Sequence, residues 1–225
     1  NIQYKNGKPI FIDTLSFEEY EDGKPWVAYQ QFCQHFLAPL AVMCKNDIRL
    51  SQLLKTNIDG IPMDLASKLL PKKTFFSFGI LSHIHLHAIF QNHYSDNQKS
   101  QKKIRKITKI DLINICENLK SLITKFNWNP IGTEWSNYYK SNNNYELETM
   151  KSKEKFVHFY ISKFSPTLVW DLGANTGNFS RLSSSKTTLT ISFDIDPACV
   201  EVNYLEMKKN KDQFMIPLLL DLTNP

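Results

Sequence analysis

Three aspartates and one glycine turn carry the chemistry that this sequence offers. Asp171 closes the apolar run Thr167 to Trp170, and Gly173, Ala174, Asn175 and Gly177 follow it. Asp194 closes ISFD, and Asp221 closes LLLD. A carboxylate accepts two hydroxyl protons at once, so it can hold a sugar diol in one orientation. Glycine has no Cβ and tolerates positive φ, which lets backbone N–H groups come close to a bound molecule. An acid about twenty residues beyond a glycine turn suits ribose hydroxyls. The set points to a nucleoside-like ligand lying along strand ends. For a single acid, helix capping is the plain alternative, and Asp196-Pro197 is a natural helix start. Three acids at successive strand ends favour the ligand.

The elements that must position these residues follow from the periodicity. Leu168 to Asp171, Leu189 to Asp194 and Phe214 to Leu220 are short β-rich runs. Helical stretches near Asn178 to Ser184 and Pro197 to Lys209 separate them. Strand–helix–strand–helix–strand predicts parallel pairing with right-handed crossovers. Before it, Tyr145 to Phe164 reads as a helix, and Asn127 to Asn144 as a connecting loop rich in Asn, Ser, Pro and Gly. Further upstream, apolar residues recur at helical spacing over Trp26 to Cys44, with a kink expected at Pro39. Helices are also predicted over Asp47 to Leu54, from Pro62 to Leu70, over Gly79 to His93 and over Lys109 to Phe126. Residues 1–25 read as a hairpin or extended segment, with alternation over Phe11 to Phe17. The fold class is therefore α/β: a mainly helical amino-terminal region, 1–144, and a partial Rossmann-like parallel sheet, 145–225, truncated after its third strand.

The order DLGANTG, FDIDP, LLLDL resembles the first half of a class I S-adenosylmethionine-dependent methyltransferase. That resemblance, over about Tyr145 to Pro225, implies S-adenosylmethionine as cofactor. It implies that Asp171 contacts the methionine end, partly through water, and that Gly173, Ala174, Asn175 and Gly177 shape the loop around methionine and ribose. Asp194 takes the ribose hydroxyls, Ile195 packs against adenine, Asp221 accepts from the adenine amino group, and the Leu222 N–H lies near a ring nitrogen. The sequence departs from the family where the loop's usual middle glycine is Asn175, a residue that tolerates left-handed backbone angles. In that family the acceptor contacts come from the fourth strand and the loops after it. No catalytic residue is assigned, the acceptor is unspecified, and residues 1–225 alone are expected to be inactive. The family's first strand is central, so Thr167 to Asp171 is expected here as an apolar edge, covered by further chain or by a neighbouring copy.

A dinucleotide-binding dehydrogenase is the nearest enzymatic rival. It wants G-x-G-x-x-G, whereas this loop has only Gly173 and Gly177. A carboxylate at Asp171 would repel a pyrophosphate and attract a methionine ammonium. The amino-terminal motifs DGKPWVAYQQFCQHFLAPL, DIRL, IDGIPMDLAS and HIHLHA resemble the methyltransferases related to the NoeA host-specific nodulation protein, which adds no acceptor chemistry. A reading from another class is a non-catalytic protein whose helical region binds a partner while the α/β half serves as scaffold.

Weaker signals remain bland. His83 and His87 are spaced i, i+4 on the expected helix with His85 turned away, and no acid or cysteine completes a metal site nearby, so polar packing or a substrate-pocket contact is favoured over a metal. Lys99, Lys102, Lys103, Arg105, Lys106 and Lys109 lack interleaved aromatics, so a solvated face is preferred to nucleic acid. Asn224-Pro225 opens like the N-P-P-Y of amino-methylating enzymes but follows the third strand rather than the fourth. Hydrophobic residues make up 42% of the 225 and charged residues 22%, which supports a packed core and excludes a disordered chain. The net charge of +5 is too mild to demand an anionic partner. Four scattered cysteines, Cys33, Cys44, Cys116 and Cys199, lack metal spacing and are expected to be reduced and buried. No apolar run is long enough to span a membrane, and no signal pattern opens the sequence, so a cytoplasmic protein is expected.

Overall fold

The computed structural model describes residues 2–5, 8–13, 15, 17–90, 107–131, 133, 135 and 147–223. The basic residues from Lys99 to Lys106, the Asn224-Pro225 pair, most of the 127–144 loop and the last residues of the helix expected over Gly79 to His93 lie outside them. The chain forms two compact units, Glu18–Trp128 and the combination of Asn1–Phe17 with Asn129–Pro225. A single boundary was expected at 144/145; here the amino-terminal hairpin groups with the sheet.

That hairpin pairs β1 (Ile2–Lys5) with β2 (Lys8–Phe11), antiparallel, with Ile2 opposite Phe11. Its strands precede the expected alternating run, because Phe11 to Phe17 leaves the ladder after Phe11.

The helical unit begins with α1, built of Tyr29–Phe32, Cys33–Leu37 and Ala38–Lys45. Its middle stretch is π-helical, with the Ala38 N–H donating to the Cys33 carbonyl. The cause is Pro39. It has no N–H to offer the preceding turn, and the Gln34 carbonyl accepts instead from the Ile61 N–H at 2.9 Å. That approach needs a glycine next door: a Cβ on Gly60 (φ +88°) would fall 2.7 Å from the Gln34 Cβ. The expected kink is therefore a π turn that docks the next segment. A short 3₁₀ turn at Ile48–Gln52, capped by Asp47, leads into Leu53–Thr56. Then come α2 (Met63–Leu69), α3 (Phe78–Ile80, Leu81–His85 and on to 90) and α4 (Lys109–Thr124). A reciprocal capping box, Thr108 with Asp111, opens α4. Leu37, Ile61, Met63, Ile80, Ile84, Leu119 and Leu122 share one buried core.

The histidines lie in this core. Leu81–His85 is also π-helical, which inserts a residue into the helical register. As expected, His83 and His87 share one neighbour, Tyr29, while His85 is turned to a separate set, Phe75, Ser67 and Thr74; His85 is completely buried there, and His83 nearly so. The Thr74 hydroxyl donates to the Pro71 carbonyl at 2.6 Å, so His85 Nε2–H donates to Thr74 at 2.9 Å and Nδ1 accepts from Ser67 at 2.7 Å. His83 Nε2–H donates to Asn118 Oδ1 at 2.9 Å, and Nδ1 accepts from the Tyr29 hydroxyl at 2.6 Å. Phe75 stacks on His85 with ring centroids 3.8 Å apart. Burial pushes the pKa of His83, His85 and His87 below the ordinary value of 6.5. These are neutral packing groups with both nitrogens of His83 and His85 already engaged.

The α/β unit contains α5 (Leu147–Phe164), β3 (Leu168–Leu172), α6 (Ser180–Ser183), β4 (Leu189–Asp194), α7 (Pro197–Asn210) and β5 (Met215–Leu219). The three strands form a parallel sheet in the order β3-β4-β5, with Leu168 opposite Leu189 and Thr190 opposite Met215. Pro217, which cannot donate to a ladder, is accommodated on the edge strand β5. Alternation on β4 buries Thr190, Ser192 and Asp194. Thr190 bonds Ser183 at 2.9 Å, and Ser192 accepts from Asn203 Nδ2 at 2.9 Å. Among the described residues β3 pairs with β4 alone, so the apolar edge is present, with Trp170 63% exposed.

Candidate functional site

The site forms where the three parallel strands end together. The glycine loop after β3 folds back onto β4: Gly173 N–H and Ala174 N–H both donate to the Phe193 carbonyl at 2.9 Å. Asn175 N–H donates to Asp194 Oδ2 at 2.7 Å, Thr176 N–H to Asn175 Oδ1 at 2.9 Å and Gly177 N–H to the Ala174 carbonyl at 2.9 Å. Every loop N–H from Gly173 to Gly177 therefore has a partner inside the protein. The sequence reading brought these N–H groups close to a bound molecule; in the structure the loop directs them to β4 and to itself. A phosphate-binding loop needs those donors free.

The two glycines have different duties. Gly173 (φ +78°) has none of the described residues within 4 Å of where a Cβ would stand, so its face is open among them. Gly177 (φ +78°) lies against the Asn203 side chain, which a Cβ would strike. It is a packing glycine that lets the loop sit down on α7. Arg181 ties the same region, donating to the Thr176 carbonyl at 2.7 Å and to Asn203 Oδ1 at 2.9 Å, with Glu206 3.2 Å away.

Asp194 is buried, and its two oxygens accept from Asn175 N–H and Asp196 N–H, at 2.7 and 2.8 Å. A carboxylate has about four acceptor positions, so each oxygen keeps capacity for one more donor. Asp171 accepts from the Ser180 hydroxyl at 2.6 Å. Asp221 accepts from Thr223 N–H and its hydroxyl, at 2.9 and 2.6 Å, which turns the chain just past β5. Below the site, burial and then the carboxylates of Asp196 and Asp194 push the Cys199 thiol up to about 12. Cys199 is thus an inert thiol rather than a nucleophile. Cys33 is likewise buried and raised to about 11, whereas Cys116 is exposed, against the expectation that all four are buried.

A cavity of about 510 Å³ opens over these strand ends, within the size range of small-molecule sites. Gly173, Asn175, Asp194, Ile195, Asp221 and Leu222 line it, joined by Phe193, Leu220, Thr223 and Trp135. Asp171, Ala174 and Gly177 do not. Asp171 lies under the loop on Ser180, Ala174 is buried, and Gly177 faces Asn203. Sequence reasoning missed Phe193, Leu220, Thr223 and Trp135; the first three adjoin residues it named, whereas Trp135 is far from them in the chain. It comes from a stretch without periodicity, and only its aromatic character within a polar loop distinguishes it.

Asn175 has φ +50°, the left-handed conformation its residue type permits. Among the described residues, no three His, Cys, Asp or Glu side chains converge as metal ligands, and no helix is long and apolar enough to cross a membrane.

Fold and site together describe an α/β protein with an acid-lined cavity at the carboxyl ends of a parallel sheet. No family model matches the chain. It is similar to nodulation protein NoeA of Rhizobium meliloti (strain 1021), with 30% identity over 231 residues, covering 100% of this chain and 48% of that protein. The chain thus spans about half the length of the curated relative it matches. The similarity supports the NoeA-related resemblance noted in the amino-terminal motifs.

Proposed function

We propose that this chain carries the cofactor-binding part of an S-adenosylmethionine-dependent methyltransferase of Rossmann-like fold. The observation that carries this reading is the cavity lined jointly by Gly173, Asn175, Asp194, Ile195, Asp221 and Leu222, residues from three strand ends. The donor set suits a nucleoside. Asp194 is held rigidly by two backbone N–H groups and retains one acceptor position per oxygen for a ribose diol. Ile195 and Leu222, both more than half exposed, offer apolar surface to a purine. Asp221 can accept from an exocyclic amine. Gly173 leaves open space beside the loop. The loop's internally satisfied N–H groups weigh against a pyrophosphate and so against the dehydrogenase reading.

When bound, S-adenosylmethionine supplies an electrophilic methyl group on sulfur. The work of this chain is to hold the nucleoside in one orientation and exclude water around it, and such positioning supplies much of the rate. The acceptor, its atom and any general base belong to the same proposal only as an unspecified partner; nucleic acid remains disfavoured. We also propose that the β3 edge is covered by another chain segment or a second copy.

Calorimetric titration of the full natural protein with S-adenosylmethionine and S-adenosylhomocysteine tests the reading. Micromolar binding of both is expected. No binding of either sinks the cofactor assignment and leaves the partner-binding scaffold reading in its place.

A further inference from the structure

We infer that Arg181 is a positioning residue for the nucleoside site: it clamps the glycine loop and thereby keeps the Asn175 N–H on Asp194. The inference rests on the nucleoside reading proposed above and adds to it a residue that lies outside the cavity.

The glycine loop has little of its own to hold its shape. Gly173, Asn175 and Gly177 all have positive φ, at +78°, +50° and +78°, and asparagine is strained there where glycine is not. Ala174 contributes the loop's one buried apolar side chain. A strained backbone of this kind persists only where its surroundings over-determine it.

Arg181 supplies that constraint. Its Nη1 donates to the Thr176 carbonyl at 2.7 Å, and its Nη2 donates to Asn203 Oδ1 at 2.9 Å. The guanidinium is a rigid planar fork, so two donors on two fixed partners define its position. Asn203 is fixed in turn: it is 1% exposed, and its Nδ2 donates to Ser192 on β4 at 2.9 Å. Gly177 rests against the same asparagine. The loop is thus tied through Arg181 and Asn203 to the middle strand of the sheet. Within the same turn, closed by the Gly177 N–H on the Ala174 carbonyl, the Asn175 N–H donates to Asp194 Oδ2 at 2.7 Å. Holding Thr176 therefore holds Asn175, and Asn175 sets which acceptor positions of Asp194 face a ligand. Arg181 does not line the cavity, so its effect on a ligand must pass through the loop and Asp194. The competing role is plain packing, in which Arg181 ties α6 to α7 through Glu206, 3.2 Å away.

The test uses the full natural protein with S-adenosylhomocysteine as probe. It reads affinity by calorimetry and, without ligand, hydrogen exchange at the Asn175 amide. Arg181→Met keeps the stem and removes the donors; it should weaken binding about tenfold and speed exchange at Asn175 about tenfold. Arg181→Lys keeps one donor for the Thr176 carbonyl and should bind within about threefold of the parent. Glu206→Gln removes the ion pair but neither clamp bond, so affinity should stay within about twofold of the parent. Asp194→Asn makes the deciding comparison. In that background Arg181→Met should weaken binding less than about twofold further, because residues that act through one contact are not additive. Parental affinity and parental exchange at Asn175 in Arg181→Met overturn the inference, whatever the melting temperature does. So does a loss that persists undiminished in the Asp194→Asn background, or an equal loss in Glu206→Gln. In each of these cases the unsubstituted protein still binds and the cofactor reading stands. Failure of the unsubstituted protein to bind either sulfur nucleoside removes both.

Discussion

The two compact units bury polar groups in opposite ways. In Glu18–Trp128 the buried histidines are closed circuits: both nitrogens of His85 are taken by Ser67 and Thr74, and both of His83 by Tyr29 and Asn118. Neither of these two rings keeps a nitrogen for a ligand, whereas the buried Nδ1 of His87 has no hydrogen-bond partner among the described residues. In the α/β unit, Asp194 is equally fixed but keeps acceptor capacity on both oxygens, facing a cavity. Buried polar groups that are fully satisfied specify a core, whereas fixed groups with spare valence make a site. The clustered histidines invite a functional reading and are structural; the aspartates look like ordinary caps and are the better candidates for binding.

Substitutions can break or sharpen this contrast. The largest effect is expected for His85→Ala, which opens a cavity beside Phe75 and strands the Ser67 hydroxyl; about 4 kcal/mol of stability should be lost in chemical denaturation. Nucleoside affinity of the folded protein should not change. Gly177→Ala should cost about 3 kcal/mol, since its Cβ meets Asn203 at a left-handed φ. Gly173→Ala has room around it and should cost about 1 kcal/mol, measured in the same denaturation series. Equal losses at the two glycines would contradict the separate duties given to them. Asp194→Ala should weaken S-adenosylhomocysteine binding at least about 100-fold, close to 2.7 kcal/mol, read by calorimetry.

A pH series divides the units more gently. Burial lowers the pKa of His83, His85 and His87, so the unfolded chain binds protons first as pH falls. The stability they contribute is complete above the unfolded value near 6.5 and is lost progressively below it. The melting temperature of the helical unit should therefore fall between pH 7.5 and 5, and His85→Gln should flatten that fall. A change as small as that at Gly173 is expected for Thr108→Ala, which removes one half of the α4 capping box at about 1 kcal/mol in chemical denaturation.

Much of this architecture was legible because it is local. The period-2 runs became β3, β4 and β5 to within a residue or two, and Asp196-Pro197 opened α7 as its cap chemistry requires. Pro39 signalled a disturbed helix, but the form of the disturbance depended on the distant Ile61 N–H that takes up the Gln34 carbonyl. The same limit applied to His85: spacing set it apart from His83 and His87, but the burial that closes on it comes from Phe75, Ser67 and Thr74 on other elements. The sequence by itself determined which residues stand at the strand ends, because hydrophobic alternation and turn chemistry act over a few positions. Only the tertiary structure decided what those residues do there. It directed the loop N–H groups to Phe193 and Asp194, set Gly177 against Asn203, and brought Trp135 to Asn175 and Asp196. Each of those choices depends on pairing between segments far apart in the chain, which no local pattern encodes.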